Sequence, residues 1–255
     1  MSKNLWKSDP DWFEPWFDRP EYHVLYGDRS QTEANDFIKT LVNQTVLGEN
    51  GQRILDLGCG AGRHAAAMAS HGNRVIGMDL SNNSIASARS MHADLRDRLD
   101  FREGDMRNID SYFDSNSFEV VTMLFTSFGY FESDEEHSKT LQSVRRVLSA
   151  NGTFILDFLN LDHVKQNLIP SERIEKGGVL FDINRRISGG WIQKSIEFKD
   201  ANGVRHHHVE RVKAFSLEDL TEMLTLAGFD FIEKFGNYQL LPLAKSSPRC
   251  IIVAH

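Results

Sequence analysis

An apolar run, Arg53-Ile54-Leu55-Asp56-Leu57, passes directly into Gly58-Cys59-Gly60-Ala61-Gly62 and then into a helical pattern from Arg63 through Met68. No other stretch of the sequence restricts the fold so tightly. Strand, glycine turn and helix in that order open a doubly wound α/β sheet. Glycine lacks a Cβ and takes positive φ at little cost, so the turn lets backbone approach a ligand closely. The helix start then offers free N–H groups to a negative charge. By itself the loop also suits a dinucleotide site or a turn with no ligand. Against the dinucleotide site, its usual third glycine falls at position 63, which is Arg63.

The rest of the chain extends the alternation. Short apolar runs at 53–57, 74–78, 100–103, 118–124 and 153–158 read as strands, each joined to a helical pattern. Leu141, Val144, Val147 and Leu148 form one helix face, with Asn151-Gly152 as its stop. Beyond Leu159 the period changes to strict alternation. Val179, Phe181 and Ile183 form one stretch, Ile192, Ile196 and Phe198 another, and the turn candidates Gly189-Gly190 and Asn202-Gly203 divide the segment into a three-stranded antiparallel meander. Ser216 and Asp219 resemble a capping box for a helix through Leu220, Met223, Leu224 and Ala227 that stops at Gly228, and strands near 229–235 and 249–254 follow. Ser30 or Thr32 starts a helix through Phe37, Ile38, Leu41 and Val42. Four parts result: an aromatic and helical lid segment at 1–48, a core at 49–160, an inserted meander at 161–214 expected to cover the site, and a return to the core sheet at 215–255.

Composition narrows the partners. The formal net charge is −7, and basic residues cluster only in pairs such as Arg145-Arg146 and Arg185-Arg186, so nucleic acid is not expected to bind. Cys59 and Cys250 lie too far apart to suggest a disulfide framework, which points to a reducing cytoplasm. The amino terminus, with Asp9, Asp11 and Glu14 among its aromatics, lacks a basic start followed by an apolar stretch, and no window offers ~18 uninterrupted apolar residues. A soluble monomer or homodimer without membrane contact is expected.

Two further strand ends carry suitable chemistry. Asp79 closes Val75-Ile76-Gly77-Met78, where a carboxylate accepts hydrogen bonds from ribose hydroxyls. Gly104-Asp105-Met106 closes the third strand, with an acceptor for an adenine amino group and a methionine to pack on the ring. Across roughly residues 50–160, and more weakly over 211–254, the sequence resembles the class I S-adenosyl-L-methionine (SAM)-dependent methyltransferases. Asp56 through Gly62 resembles the family's glycine-rich first motif, Asp79 its ribose-binding acid, and Asp105 with Met106 its adenine clamp. Leu124-Phe125-Thr126-Ser127-Phe128-Gly129-Tyr130-Phe131 is similar to the fourth-strand segment of a bacterial small-molecule subgroup. The resemblance implies a Rossmann-like sheet of seven mostly parallel strands with the last one antiparallel, and SAM as the cofactor with S-adenosyl-L-homocysteine as the product. It assigns the cofactor to Asp56, Gly58, Cys59, Gly60, Gly62, Arg63, Asp79, Leu80, Asp105, Met106 and Leu124.

Methyl transfer from a sulfonium is an in-line displacement that needs alignment and, for a protonated acceptor, a base. It belongs at the carboxyl ends of the strands, near Phe125 to Tyr130, Asn160, the amino-terminal aromatics and the meander. Tyr22, His23 and Tyr26 resemble an amino-terminal helix that closes over the methionine end of SAM, and Tyr22 and Tyr26 join the cofactor set against the alternative that both simply pack a core. Arg63 suits either the methionine carboxylate or an exposed helix position. Tyr130, His206 and His208 are the candidate catalytic groups. In a strand, His206 and His208 face one way and His207 the other, so metal is not expected. His137, beside Glu132 to Glu136, reads as a solvated helix residue, and Trp191 and Tyr238 line a pocket or fill the core. The expected activity is methylation of oxygen, nitrogen or carbon on a small metabolite or natural-product intermediate. The alternatives are a SAM-binding sensor or partner subunit without transferase activity, and an NAD-dependent oxidoreductase.

Overall fold

The computed structural model describes residues 5–6, 11–27 and 30–255. Its centre is a seven-stranded sheet built from β1 (Arg53–Leu57), β2 (Arg74–Asp79), β3 (Leu99–Glu103), β4 (Phe118–Met123), β5 (Leu148–Leu159), β10 (Ile232–Phe235) and β11 (Arg249–Ala254). Their order across the sheet is β10-β11-β5-β4-β1-β2-β3. All neighbours run parallel except β11, which is antiparallel to β5 and to β10. The central strands are buried on both faces, as continuous apolar runs require. The order reverses where β1 lies between β4 and β2, and this topological switch opens a crevice at the carboxyl ends of those strands.

The crossover helices are α4 (Arg63–Ser70), α5 (Asn82–Met91) and α6 (Asp134–Val147). Ser133 and Glu136 close a capping box on α6, and Ser216 with Asp219 does the same for α8 (Leu217–Leu226), ahead of Gly228 at φ +94°. One expected boundary is corrected. α6 stops at Val147 rather than at Asn151-Gly152, because Leu148 is already extended and pairs with Phe118. Helix α3 (Gln31–Asn43) is capped by the Ser30 hydroxyl, which accepts from the Glu33 N–H.

The inserted segment carries a four-stranded antiparallel sheet, β6 (Ser171–Lys176), β7 (Val179–Ser188), β8 (Trp191–Lys199) and β9 (Arg205–Lys213), in sequential order. The strand absent from the sequence reading is β6, whose residues Ser-Glu-Arg-Ile-Glu-Lys carry one large apolar side chain. An edge strand with half-solvated faces shows no hydrophobic alternation to detect. A helix at α7 (Leu161–Asn167) was likewise not expected. The short helices α1 (Phe13–Phe17) and α2 (Pro20–Tyr26) pack between this second sheet and the switch-point crevice. They form an apolar cluster of Trp12, Phe13, Trp16 and Leu25 with Phe131, Phe181, Ile183, Ile196 and Phe198.

Candidate active site

A cavity of about 390 Å³ fills the crevice. One half is made by the ends of β1, β2 and β3. Gly58, Gly60 and Gly62 take φ of +69°, +55° and +81°, conformations open to glycine without penalty. A Cβ on Gly60 would meet nothing within 4 Å, so its backbone faces open space. A Cβ on Gly58 would lie 2.5 Å from that of Ser127. Gly62 is different, since it caps α4 and a Cβ there would lie 2.4 Å from the Phe101 ring. It shapes the loop between the lining residues Ala61 and Arg63 and is not itself one of them.

The carboxylates gather around this turn. Asp79 lines the cavity and accepts from the Gly60 N–H at 2.8 Å and the Ser81 N–H at 2.9 Å. Burial raises its pKa against the opposing backbone donors. Asp56 is 2% exposed and accepts from the Thr122 hydroxyl at 2.7 Å. Burial pushes its carboxyl up to about 7, with Thr122 pulling the other way. Asp105 caps the turn that follows it, accepting from the Arg107 N–H and from its Nε at 2.8 Å each. Cys59, Leu80, Met106 and Leu124 complete the wall, and burial drives the Cys59 thiol well above its usual range.

Arg63 is not an exposed helix residue. It lines the cavity, donates to the Ser30 carbonyl at 3.1 Å and to Glu33 at 3.3 Å, and holds its guanidinium 4.4 Å from the Phe125 ring centroid. Tyr22, His23 and Tyr26 all line the cavity from α2. The Tyr26 hydroxyl turns away, donating to Glu210 at 2.6 Å with the Lys194 ammonium 2.5 Å from it.

The other half of the cavity is aromatic. Phe13 and Phe17 enter from α1, and Phe125, Tyr130 and Phe131 from the loop after β4. Tyr130 is in place, but its hydroxyl donates to the Thr126 carbonyl. Phe125 and Thr126 have φ of +56° and +64°. Such backbone costs on the order of 1–3 kcal/mol per non-glycine residue, so the surroundings must over-determine it. The Ser127 hydroxyl is buried, lines the cavity, and has no hydrogen-bond partner among the described residues.

The two histidine candidates are elsewhere. Neither lines the cavity. His208 stacks on Trp16 at 4.4 Å behind the α1–α2 pair, and burial lowers its pKa to about 4. His206 lies 2.8 Å from Asp200, while His207 faces Ser195 at 3.0 Å, so the alternation holds although the face bearing His206 and His208 is packed rather than solvated. No residue of 161–214 lines the cavity; the second sheet backs the helices that do. His137 is fully buried, not solvated. Its Nδ1 lies 2.8 Å from the Ser133 carbonyl, so it carries the proton, and its Nε2 accepts from the Phe131 N–H. Burial lowers its pKa to about 4. Tyr238 packs on Phe37 at 4.4 Å, Trp191 is capped by Arg211 and Lys213 at 4.6 and 4.7 Å, and Asn160 clasps the 244–247 loop; none touches the cavity.

The sequence reading missed Arg107, which joins Asp105 to Asp11 and Glu14 of the α1 region. It also missed Asp157, which holds the loop after β4. A donor beside a charged strand end was the available signal for the first, and a lone aspartate within apolar β5 for the second.

Residues 54–152 match a family model described as a methyltransferase domain. Over 250 residues the chain is 24% identical to a putative methyltransferase of Geobacillus sp. (strain WCH70), covering 95% of this chain and 97% of the other. A S-adenosylmethionine-dependent methyltransferase from Clostridium acetobutylicum ATCC 824 superposes with a TM-score of 0.76 at 18% identity over 91% and 94% of the two chains. The SAM-bound amino pentose methyltransferase CalS10 from Micromonospora echinaspora, involved in calicheamicin biosynthesis, does so with a TM-score of 0.63 at 20% identity over 92% and 96%.

Proposed function

We propose that the chain is a class I SAM-dependent methyltransferase, which the methyltransferase-domain match over residues 54–152 and the full-length relative support, and that it methylates an oxygen, nitrogen or carbon atom of a small, uncharged, largely apolar metabolite. The observation that carries this reading is the division of the cavity into an acid-and-glycine half and an aromatic half. The first half fits the cofactor: Gly60 leaves space where a side chain would stand, and the orphaned Ser127 hydroxyl sits in the wall. When bound, SAM supplies a methyl group activated by its sulfonium. Asp79 and Asp105 would accept from ribose hydroxyls and an adenine amino group, and Asp56 and Ser127 would accept from an ammonium. Tyr22 is assigned to the same half; Tyr26 contributes its ring face, since its hydroxyl is committed to Glu210.

The second half has the character of an acceptor chamber. Phe13, Phe17, Phe125, Tyr130 and Phe131 offer planar apolar surface and exclude water from the reacting atoms. The nearby Arg107 is matched by Asp105, Asp11 and Glu14, so its charge is already committed to carboxylates of the chain. Catalysis then rests on alignment of the acceptor. CalS10, a structural neighbour, is an amino pentose methyltransferase, which supports a small-molecule acceptor. No helix among the described residues is long and apolar enough to cross a membrane. The free thiols of Cys59 and Cys250 support a reducing cytoplasmic setting.

The test is incubation with methyl-labelled SAM and fractionated metabolite extracts. Label is expected in a neutral, apolar small molecule, and Asp79→Ala should suppress it. Label appearing only in aminosugars or acids would overturn the acceptor class. Tight SAM binding with no transfer to any fraction would favour a sensor or partner subunit.

A further inference from the structure

Two adjacent non-glycine residues in the left-handed region, Phe125 and Thr126, form the cavity wall at the end of β4. Several of the groups that hold them converge on one residue outside the cavity. Asp157, on β5, is 1% exposed. Its Oδ2 accepts from the Phe125 N–H and from the Tyr238 hydroxyl, both at 2.9 Å, and its backbone carbonyl accepts from the Thr126 N–H at 2.9 Å. Its Oδ1 accepts from Arg249 Nε at 2.7 Å. The second arm of that guanidinium donates to the Thr126 hydroxyl at 2.8 Å, so one planar fork spans both the hub and the wall. Tyr238 is itself wedged against Phe37.

We propose that Asp157, Arg249 and Tyr238 form a positioning unit for methyl transfer, holding the strained Phe125–Thr126 backbone so that the wall presents Phe125 and Ser127 to the reacting groups. The inference rests on the methyltransferase reading. None of the three lines the cavity, so none is a catalytic residue. They act through the wall. The argument is geometric: a left-handed pair of non-glycine residues persists only where its surroundings over-determine it, and here both amides and the Thr126 hydroxyl are tied to Asp157 and Arg249. A lysine at 249 keeps the charge but cannot bridge Asp157 and Thr126 in one plane.

The experiment compares Asp157→Asn, Arg249→Lys and Tyr238→Phe with the intact protein, using the acceptor identified by labelled SAM. In Asp157→Asn and Arg249→Lys, kcat is expected to fall at least tenfold, while the S-adenosylhomocysteine Kd by calorimetry stays within about threefold. Tyr238→Phe, which removes one of the bonds to Asp157, should fall between these and the intact protein. Amide hydrogen exchange over residues 123–131 should accelerate in step with the loss of kcat. Phe229→Leu serves as the stability control, since Phe229 is buried against Phe154 and lies outside the cavity; it should lower the melting temperature and leave kcat in place. Unchanged kcat and exchange in Asp157→Asn would overturn the proposal, as would a kcat loss matched by the control at equal melting temperature, or a parallel loss of Kd. Absence of transfer in the intact protein would sink the methyltransferase reading instead, while the exchange arm still decides whether Asp157 holds the wall.

Discussion

At the scale of single residues, the glycine loop shows how one atom separates binding from folding. Gly60 and Gly62 both have positive φ, yet only Gly60 faces open space. Gly62→Ala drives a methyl into the Phe101 ring, and is expected to cost roughly 2–4 kcal/mol of stability by chemical denaturation. Gly60→Ala should cost about 1 kcal/mol, from backbone strain alone, but weaken SAM binding far more when titrated by calorimetry. Asp56 gives a pH signature. Its carboxyl is held up to about 7 by burial, and a cationic ligand group binds the ionised form. SAM affinity should therefore fall toward tenfold per unit as pH drops below about 7, and Asp56→Asn should reduce that slope. A slope unchanged in the variant would assign it to another group. The positions of Gly58, Gly60, Asp56 and Asp79 at the cavity were legible in sequence because each sits within a few residues of a strand end marked by its apolar run.

At the scale of elements, helix α6 hides a buried base. Its amphipathic face was legible, but His137 stands among charged neighbours in sequence and among Phe128, Phe131 and Phe215 in space. The folded imidazole stays neutral down to about pH 4, whereas the unfolded one takes its proton near 6.5. More protons bind the unfolded state between those values, so stability is full above about 6.5 and falls as pH decreases toward 4. The expected loss from this residue is roughly 3 kcal/mol across that window. His137→Gln, which keeps a donor and an acceptor, should flatten the corresponding part of the denaturation profile. The second sheet was read correctly in kind and one strand short. β7 and β8 carry their apolar residues on one face because that face packs on α1 and α2, while β6 lies at the edge and has no such pattern to show.

At the scale of the whole molecule, the cavity is closed by helices that the second sheet holds in place. Glu210 of β9 accepts from the Trp16 indole at 2.6 Å and from the Tyr26 hydroxyl. Asp18, between α1 and α2, accepts from the Ser81 hydroxyl, the Asn83 N–H and the Asn83 amide at 3.0, 3.0 and 2.8 Å, which seats it on the N-terminus of α5. Asp18→Ala is expected to speed S-adenosylhomocysteine release several-fold in stopped-flow measurements, with sheet stability little changed. An unaltered release rate would show that the helices stay seated without this latch.

The sequence by itself determined the doubly wound sheet and the half of the cavity assigned to the cofactor, because strand, glycine turn and helix are local and recur along the chain with a readable period. Only the tertiary structure decided which residues stand around the acceptor half. Asp157, Tyr238 and Arg249 come from separate strands and loops, His206 and His208 fall behind the helices rather than in the cavity, and lining residues come from α1 and α2 and none from the meander. Such meetings depend on the packing of distant elements, and contacts of that kind leave no periodicity in the segments that make them.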